Sequence, residues 1–431
     1  MKRINVFTFG CAKNLYDSEV LMGKLSQIGY EVVHEKELEE EDIVIVNTCG
    51  FINDAKQESV NAIFEFIEKR NRGLIKDIFV FGCLSERYKV ELQKEIPEIK
   101  NFFGVFSFDE IIKAIEPGLL VPKGYSRKLS TPGHYAYLKI SDGCDQKCSF
   151  CAIPLIKGKH KSTPIDTLIE EANWLAQKGV KELILVSQDS SAYGLDLYGQ
   201  RKLVELVSQL AEINEFEWIR LHYLYPSGLP LRLIDLMAAN ERICQYVDLP
   251  VQHISDNVLR AMKRGFTSVK TYRLLEEIKK RAPQAALRTT LLVGHPGESD
   301  DDFEELCDFV KEVEFDRLGV FEYSDEEGTA AYRLKNKIDR YQKQERASVI
   351  MAIQQSVSLK KNESFVGKNI KVLIDRLENN HYIGRTEFDS PEIDHEVLVK
   401  SRKKLLTGEF YQVRITGFSY HDLMAKYPAN D

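Results

Sequence analysis

Short apolar runs alternate with helix-compatible segments through the first hundred residues. Residues 4–9, 43–46 and 78–81 form short apolar runs of the kind expected for buried parallel strands. Each run precedes a segment long enough for a helix that crosses back over a sheet. This alternation predicts an open parallel α/β domain at the start of the chain.

A second alternating series follows a turn-rich stretch at residues 117–132, which we interpret as a linker. The first long helix of this series is predicted to have Thr163 as its N-cap, Pro164 at its first position and Gly179 as its stop. Six strand–helix units predict a partial (β/α)6 barrel, with functional groups at the carboxyl ends of its strands. The six predicted strands are residues 135–140, 182–186, 218–223, 246–249, 287–293 and 318–323.

The last part of the chain has a third pattern. A polar helix is predicted over residues 340–361, and short strands separated by Gly, Asn, Asp and Pro turns follow it. These strands predict a small β-barrel, and the expected domains are residues 1–117, 134–363 and 364–431. The strands of the small barrel are predicted at residues 369–374, 381–386, 397–399 and 412–416.

Composition and charge exclude several classes of protein. The chain has 431 residues, and 59 Lys and Arg against 66 Asp and Glu give a formal net charge of −7, so a strongly basic footprint is absent. No apolar run approaches the roughly 18 residues that span a bilayer, and the first residues are too polar for a signal peptide. Eight cysteines are too few for a disulfide scaffold in a chain of this length. We expect a cytoplasmic protein without membrane association, whose closely spaced cysteines serve metal binding or catalysis.

Three cysteines are spread through the first domain at matching places. Cys11, Cys49 and Cys83 each fall just after one of the three predicted strands. In an open parallel sheet, ligands bind outside the carboxyl ends of the strands. The three thiols are therefore expected to converge on one point.

Three further cysteines lie together after the first predicted barrel strand. Cys144, Cys148 and Cys151 have CxxxCxxC spacing, which suits an iron–sulfur cluster with one iron open to another ligand. The alternative is a structural zinc site with His134 or His160 as its fourth ligand. A loop at the catalytic end of a barrel favours the iron–sulfur cluster. Cys244 and Cys307 stand alone beside apolar residues and are expected to be packing residues.

The CxxxCxxC loop resembles that of the radical S-adenosylmethionine (radical SAM) superfamily. Residues 8–19, 46–52 and 82–84, together with a C-terminal barrel similar to a TRAM domain, resemble methylthiotransferases within it. The resemblance implies two [4Fe-4S] clusters and S-adenosylmethionine as cofactors, with all six cysteines as cluster ligands. It also implies that the Cys144 cluster reduces S-adenosylmethionine to a 5′-deoxyadenosyl radical, and that the Cys11 cluster holds the sulfur that is methylated and transferred. A non-catalytic electron carrier is the alternative from a different class, but its clusters would normally have four thiolates each.

Within this family, enzymes modify either tRNA adenosine or an aspartate of small-subunit ribosomal protein S-twelve. Residues 11–19, 47–52 and 248–255 are similar to the ribosomal-protein branch, which implies hydrogen abstraction from the β-carbon of that aspartate. The segment 364–431 has ten Lys and Arg against ten Asp and Glu, so it lacks an obvious phosphate-binding footprint. We therefore predict ribosomal protein S-twelve as the substrate, with tRNA as the alternative.

The chain departs from the family pattern after the cysteine loop, where Lys157, Lys159 and Lys161 stand near positions that are generally arginine, and at His295, where an aromatic is usual. Lysine keeps the positive charge but loses bidentate geometry.

The resemblance further implies an electron-donor protein as partner, and we expect a monomer. The expected contacts to S-adenosylmethionine are Phe150, Gln188, Asp189, Gln252, His253 and Arg288.

Overall fold

The computed structural model describes residues 3–39, 42–119, 121 and 124–428. Its first domain is a parallel five-stranded sheet in the order β2-β1-β3-β4-β5. The three predicted strands are confirmed, whereas β2 and β5 were not predicted because they are short and only partly apolar. The strands are β1 (Arg3–Thr8), β2 (Glu31–His34), β3 (Asp42–Thr48), β4 (Ile75–Gly82) and β5 (Asn101–Phe102).

Helices cover both faces of this sheet, as expected for an open parallel sheet. One face packs apolar side chains of the first and fourth helices, including Leu21 and Ile111. The other face packs side chains of the second and third helices, including Ile63 and Leu92. The helices are α1 (Ala12–Gln27), α2 (Asn53–Asn71), α3 (Cys83–Glu95) and α4 (Phe108–Ile115). The predicted linker at 117–132 follows, and its residues 120, 122 and 123 lie outside the described part of the chain.

The central domain is the predicted partial barrel, and all six predicted strands are confirmed. Two parallel three-stranded sheets, β10-β9-β6 and β11-β12-β13, are joined by a parallel bridge between Ile219 and Ile243. A short antiparallel pair, β7 with β8, flanks the cysteine loop. The strands are β6 (Tyr135–Lys139), β7 (Ser141–Asp142), β8 (Lys161–Ser162), β9 (Glu182–Val186), β10 (Trp218–Leu221), β11 (Tyr246–Asp248), β12 (Ala286–Val293) and β13 (Arg317–Glu322).

Helices surround the outside of these strands and bury a large apolar core against them. The predicted start of the first long helix is wrong by one residue. Pro164 has an extended backbone (ψ 144°), so it is the residue before the helix rather than its first member. The helices are α5 (Ile153–Ile156), α6 (Ile165–Gln177), α7 (Leu195–Tyr198), α8 (Leu203–Leu210), α9 (Leu231–Ala239), α10 (Asp256–Ala261), α11 (Ser268–Arg281), α12 (Asp300–Val313) and α13 (Arg340–Glu363).

The C-terminal segment forms a closed five-stranded barrel in the order β14-β15-β16-β18-β17. The four predicted strands are confirmed, and the fifth, β18, was missed because its apolar residues alternate over only five positions. The strands are β14 (Asn369–Glu378), β15 (His381–Arg385), β16 (Val397–Ser401), β17 (Phe410–Phe418) and β18 (Leu423–Tyr427).

The loop between β15 and β16 closes the end of the central barrel that lies opposite the cysteine loop. Ser390 lies 2.9 Å from His222 Nε2, and Asp394 accepts hydrogen bonds from the Tyr246 hydroxyl at 2.7 Å and from Arg288 at 3.2 Å. Polar side chains inside the barrel are thereby satisfied by the small β-barrel domain. The other end of the barrel, where the cysteine loop lies, is the place at which a functional site is expected. None of the helices in the described ranges is both long and apolar enough to cross a bilayer.

Candidate functional site

The register of the first sheet brings Cys11, Cys49 and Cys83 to one edge. Thr48 at the end of β3 is paired with Gly82 at the end of β4, so the next residues, Cys49 and Cys83, lie side by side. The Phe9 amide donates to the Asn47 carbonyl at 2.9 Å and carries the end of β1 to the same place. The three cysteine-bearing loops therefore lie at one edge of the sheet, and the convergence of their thiols on a single metal site remains a prediction.

Two glycines allow the three loops to approach this closely. Gly10 has φ +98°, and a Cβ there would lie 2.8 Å from Cys49 Sγ. Gly82 has φ +105°, and a Cβ there would lie 2.4 Å from Asn47 Oδ1. Any other residue would strain the backbone and push the thiols apart.

Two asparagines tie the thiol-bearing loops together, and sequence reasoning did not single them out. The Asn14 amide donates to the Phe9 carbonyl at 2.9 Å, and its Oδ1 lies 3.6 Å from Cys83 Sγ. Asn47 donates to the Asn14 carbonyl at 2.8 Å. The sequence feature that could have identified these asparagines is their position within three residues of Cys11 and Cys49.

The buried thiols of both groups are held in their protonated form. Burial raises the pKa of Cys49 to about 11 and that of Cys83 to about 12. Burial likewise raises the pKa of Cys144 and of Cys151 to about 12. A thiol with a raised pKa is a poor free nucleophile at neutral pH, whereas a metal that binds it replaces the proton.

The second group of cysteines lies on the loop after β6. Gly143 begins this loop with φ +70°, and a Cβ there would lie 2.1 Å from the Lys159 carbonyl oxygen. The Cys144 amide donates to the Gly158 carbonyl at 3.1 Å, which closes the loop at its far end. The Cys151 amide donates to the Cys148 carbonyl at 3.2 Å. These contacts curl the loop so that its three thiols form one group.

Arg264 lies against this group and was not predicted. Its Nη1 donates to Cys148 Sγ at 3.4 Å, and its Nη2 donates to the Pro250 carbonyl at 2.6 Å. Its guanidinium stacks 4.3 Å from the centre of the Tyr225 ring. A cation at this place stabilises a thiolate or an anionic ligand. No local pattern in the sequence marked Arg264, because its neighbours in the fold come from distant segments.

Of the six predicted cofactor contacts, Gln188 and Asp189 lie beside the cysteine loop. Asp189 accepts a hydrogen bond from Gln146, a residue of that loop, at 3.0 Å, and burial raises the pKa of Asp189. Gln188 Oε1 is buried and has no hydrogen-bond partner among the described residues. The Tyr225 hydroxyl, also buried and stacked on Arg264, has none either in the described part of the chain. Buried polar atoms without partners are expected where a polar ligand binds.

Gln252 and His253 follow the fourth barrel strand. Gln252 has φ +71°, a strained conformation for a residue other than glycine, and its amide donates to Thr290 at 2.9 Å. His253 is fully buried, and burial lowers its pKa to about 3. It is therefore uncharged, and its Nδ1 accepts a hydrogen bond from the Ser255 amide at 3.1 Å.

The structure places the other two predicted contacts differently. The Phe150 ring packs on an apolar cluster that includes Met262 and Leu292. Arg288 is occupied by ion pairs with Asp248 at 2.9 Å and Asp394 at 3.2 Å. The Arg288 guanidinium thus joins the barrel to its closing loop.

The two cysteine-bearing segments meet at the interface between the first and central domains. Cys83 packs with Ala152, which directly follows Cys151, and with Ile156 at the end of α5. The buried Lys157 Nζ pairs with Asp17 of helix α1 at 2.8 Å, and its positive charge acts on the Cys83 thiol. The pairing of sites was not deducible from sequence, because it depends on how the two domains dock.

The residues weighed as a fourth zinc ligand have other roles. His134 Nε2 lies 2.7 Å from Asp375 of the C-terminal barrel, and His160 Nε2 lies 3.1 Å from Ser162. Across the described ranges, no three His, Cys, Asp or Glu side chains are arranged to hold a metal ion. The assignment of three thiols per group to a [4Fe-4S] cluster with one open iron therefore remains a prediction from the cysteine spacing and the family resemblance.

Comparison with known proteins agrees with this architecture. Residues 3–104 match the family described as "Uncharacterized protein family UPF0004", residues 138–310 match the Radical SAM superfamily, and residues 366–427 match the TRAM domain. The "Ribosomal protein uS12 methylthiotransferase RimO" of Christiangramia forsetii is 50% identical over 98% of this chain and 93% of that protein. The chain belongs to the RimO family of radical SAM methylthiotransferases.

Other RimO proteins are similarly close. The one from Flavobacterium johnsoniae is 49% identical over 98% of this chain and 97% of that protein. The one from Bacteroides thetaiotaomicron is 48% identical over 99% of this chain and 98% of that protein. Membership of the RimO family thus extends over all three domains and brings with it the radical SAM [4Fe-4S] cluster and S-adenosylmethionine.

Solved structures of more distant proteins share the fold. The radical S-adenosylmethionine methyltransferase TsrM from Kitasatospora setae, with cobalamin and a [4Fe-4S] cluster bound, superposes with a TM-score of 0.54 at 16% identity over 75% of each chain. The cobalamin-dependent enzyme OxsB superposes with a TM-score of 0.52 at 13% identity, over 82% of this chain and 56% of that chain. At these identities the likeness concerns the fold alone.

Proposed function

We propose that this chain methylthiolates the β-carbon of an aspartate in ribosomal protein uS12. The observation that carries the proposal is the contact between the two cysteine-bearing segments, in which Cys83 packs with Ala152, the residue after Cys151. A reaction that activates a C–H bond and then delivers sulfur needs two such sites at one interface. The 50% identical relative from Christiangramia forsetii is a ribosomal protein uS12 methylthiotransferase, which supports uS12 as the protein substrate.

The six cysteines are proposed as ligands of two [4Fe-4S] clusters, and the second cluster, on Cys11, Cys49 and Cys83, belongs to this proposal. Gln188 and Asp189 are the best placed of the proposed contacts to S-adenosylmethionine, because they lie beside the cysteine loop. Phe150, Gln252, His253 and Arg288 remain proposed contacts. The proposed domains are residues 1–117, 134–363 and 364–431.

When bound, the cofactors supply a 5′-deoxyadenosyl radical from S-adenosylmethionine and a methylated sulfur for transfer. The chain's own residues have simpler tasks. Arg264 holds Cys148 and fixes the loop to the Pro250 carbonyl. Cys49 and Cys83 are buried, and Cys144, Cys148 and Cys151 are half-buried, which limits the access of water to reactive species.

The partners follow from the same proposal. A ribosomal substrate implies a cytoplasmic enzyme, and reduction of the first cluster requires an electron-donor protein. We also propose that the chain acts as a monomer, which size-exclusion chromatography with light scattering measures directly.

The test is product analysis with two competing substrates. The reconstituted, reduced chain is incubated with S-adenosylmethionine and either small ribosomal subunits or tRNA, and both products are analysed by mass spectrometry. We expect a methylthio mass gain on the uS12 aspartate and none with a Cys144→Ala variant. Methylthiolated tRNA with unchanged uS12 would reverse the assignment of the substrate.

A further inference from the structure

Lys13 is a buried cation at the mouth of the barrel that the proposed chemistry has not yet used. It lies in the first turn of α1, two residues after Cys11, and only 9% of it is exposed. Its Nζ lies 3.6 Å from the centre of the Tyr223 ring, just beyond the carboxyl end of β10. The side chain thus reaches from the first cysteine group into the opening of the central barrel.

Lys13 differs from the other lysines buried at this interface. Lys139 and Lys157 both pair with Asp17, and Lys139 also pairs with Asp142 at 2.6 Å. No ion pair among the described residues includes Lys13. An ammonium group with so little exposure normally has a carboxylate partner, because removing it from water is costly.

The acidic residue nearest to this position is already occupied. Asp248 pairs with Arg288 at 2.9 Å and with His222 at 3.3 Å, and it accepts a hydrogen bond from the Tyr223 amide at 2.9 Å. Asp248 thus forms its ion pair with Arg288 and acts on Lys13 only as a nearby charge. Because no described carboxylate pairs directly with Lys13, the ammonium group is able to bind a carboxylate of the substrate.

The aromatic residue beneath Lys13 is held in an unusual conformation. Tyr223 has φ +60°, which is strained for an aromatic residue. Its amide is fixed by Asp248, and its carbonyl accepts from the Ser190 amide at 3.0 Å. Strain that neighbours enforce in this way is typical of residues that position a functional group. Here Tyr223 holds the lysine by a cation–π contact and a side-chain hydrogen bond, and the three donors of the ammonium group include others for a ligand.

We propose that Lys13 binds the side-chain carboxylate of the target aspartate and so selects an acidic side chain at the reacting position. This inference rests on the proposed function, because it needs a substrate with a carboxylate one bond from the reacting carbon. A carboxylate held by Lys13 places that carbon between the first cysteine group and the opening of the central barrel. Lys13 is then a specificity-determining residue for an acidic side chain over an uncharged one.

The test is a binding cycle between the lysine and the substrate charge. Wild-type protein and the Lys13→Met and Lys13→Arg variants are titrated with purified uS12 that carries either the target aspartate or asparagine in its place. We expect the wild type to prefer the aspartate form about tenfold, since a hydrogen bond between charged groups is lost in the other form. Lys13→Met should bind both forms equally, whereas Lys13→Arg should keep most of the preference.

Two controls make the result specific. Tyr223→Phe keeps the ring and should retain the preference, while Tyr223→Leu removes the cation–π contact and should reduce it. Iron content and thermal midpoint identify variants that have lost a cluster or their fold. Met replaces an unpaired buried charge with an apolar chain of similar length, so Lys13→Met is expected to fold.

Two outcomes would overturn the inference, and they differ from failure of the proposed function. A Lys13→Met protein that keeps the tenfold preference would show that Lys13 does not contact the carboxylate. An equal loss of affinity for both forms of uS12 would assign Lys13 to the cysteine group and not to the substrate. If the wild type instead methylthiolates tRNA and leaves uS12 unchanged, the proposed function itself fails, and this inference fails with it.

Discussion

Arg127 connects the linker to both domains, and its removal should be strongly destabilising. Its guanidinium pairs with Glu19 of α1 at 2.6 Å and with Glu171 of α6 at 2.8 Å. The side chains of Arg127, Glu19 and Glu171 are 0%, 0% and 3% exposed. Gly23 permits the close approach, since a Cβ there would lie 2.5 Å from the Arg127 backbone nitrogen.

The expected magnitude follows from the charges left behind. Arg127→Met leaves two carboxylates buried without their cation, and breaking one buried pair costs about 3–5 kcal/mol. Glu19 keeps hydrogen bonds from the Ser130 amide at 2.6 Å and hydroxyl at 2.9 Å, and Glu171 keeps one from the Tyr16 hydroxyl at 3.0 Å. These remaining donors limit the loss, so we expect about 3–5 kcal/mol in total rather than twice that amount.

Tryptophan fluorescence measures this change at the right place. Trp174 lies in α6, with its ring 5.7 Å from that of Tyr125 in the linker. The chain has one other tryptophan, Trp218, so a Trp218→Phe background makes urea unfolding report on the linker contact. Arg127→Met should lower the urea concentration at the midpoint of unfolding, relative to the Trp218→Phe background alone. The triple variant that also carries Glu19→Gln and Glu171→Gln should recover most of the loss, because no buried charge is left unpaired.

A pH series provides the refutation. Lowering the pH below about 5 protonates unpaired carboxylates, so the gap between Arg127→Met and wild type should narrow there. A loss under about 1 kcal/mol at pH 7 would refute the reasoning, and so would a gap that is independent of pH.

Three further predictions concern the cysteine sites and the C-terminal barrel. Gly10→Ala should lose the iron of the first cysteine group while the second keeps its own, because the new Cβ would lie 2.8 Å from Cys49 Sγ; iron analysis measures this, and full iron content would contradict it. Cys49→Ala should still release 5′-deoxyadenosine but add no sulfur to uS12, whereas Cys144→Ala should do neither; normal product from Cys49→Ala would disprove this division of labour. Burial and the charge of Arg317 lower the pKa of His395 to about 3, below its unfolded value of 6.5. The contribution of uncharged His395 to the free energy of unfolding is therefore present above pH 6.5 and is lost as the pH falls. At pH 5 this amounts to about 2 kcal/mol of unfolding free energy, and His395→Gln should show a shallower loss than wild type in urea unfolding at pH 5 and 7.

Hydrophobic patterning predicted the strands that are apolar over their whole length and failed where the signal was short. The first four parallel strands of the barrel, β6, β9, β10 and β11, and the central strand β3 of the first sheet are buried at every position, so their runs are visible in sequence. β5 has two residues, and its place in the sheet depends on pairing with Phe79 and Val80. Such pairing depends on the neighbouring strand β4, so it leaves no hydrophobic pattern in the sequence of β5 itself.

The candidate site shows the same difference between features that the local sequence predicts and features that only the folded structure shows. Positions after strand ends predicted that Cys11, Cys49 and Cys83 would meet, because parallel strands align their carboxyl ends. Arg264 and Lys13 carry no such mark, since lysines and arginines usually lie on the surface. Only the packed fold shows Arg264 against Cys148 and Lys13 over Tyr223.

The sequence by itself determined the three domains in outline, the two groups of cysteines and the resemblance to methylthiotransferases. The tertiary structure decided that the segments bearing the two groups meet at one interface, that the loop between β15 and β16 closes the barrel, and that Lys13 is buried without a carboxylate partner among the described residues. The physical reason is the range of each signal. Strand and loop patterns repeat within a few residues, whereas docking of domains depends on contacts such as Cys83 with Ala152, which lie far apart in the chain.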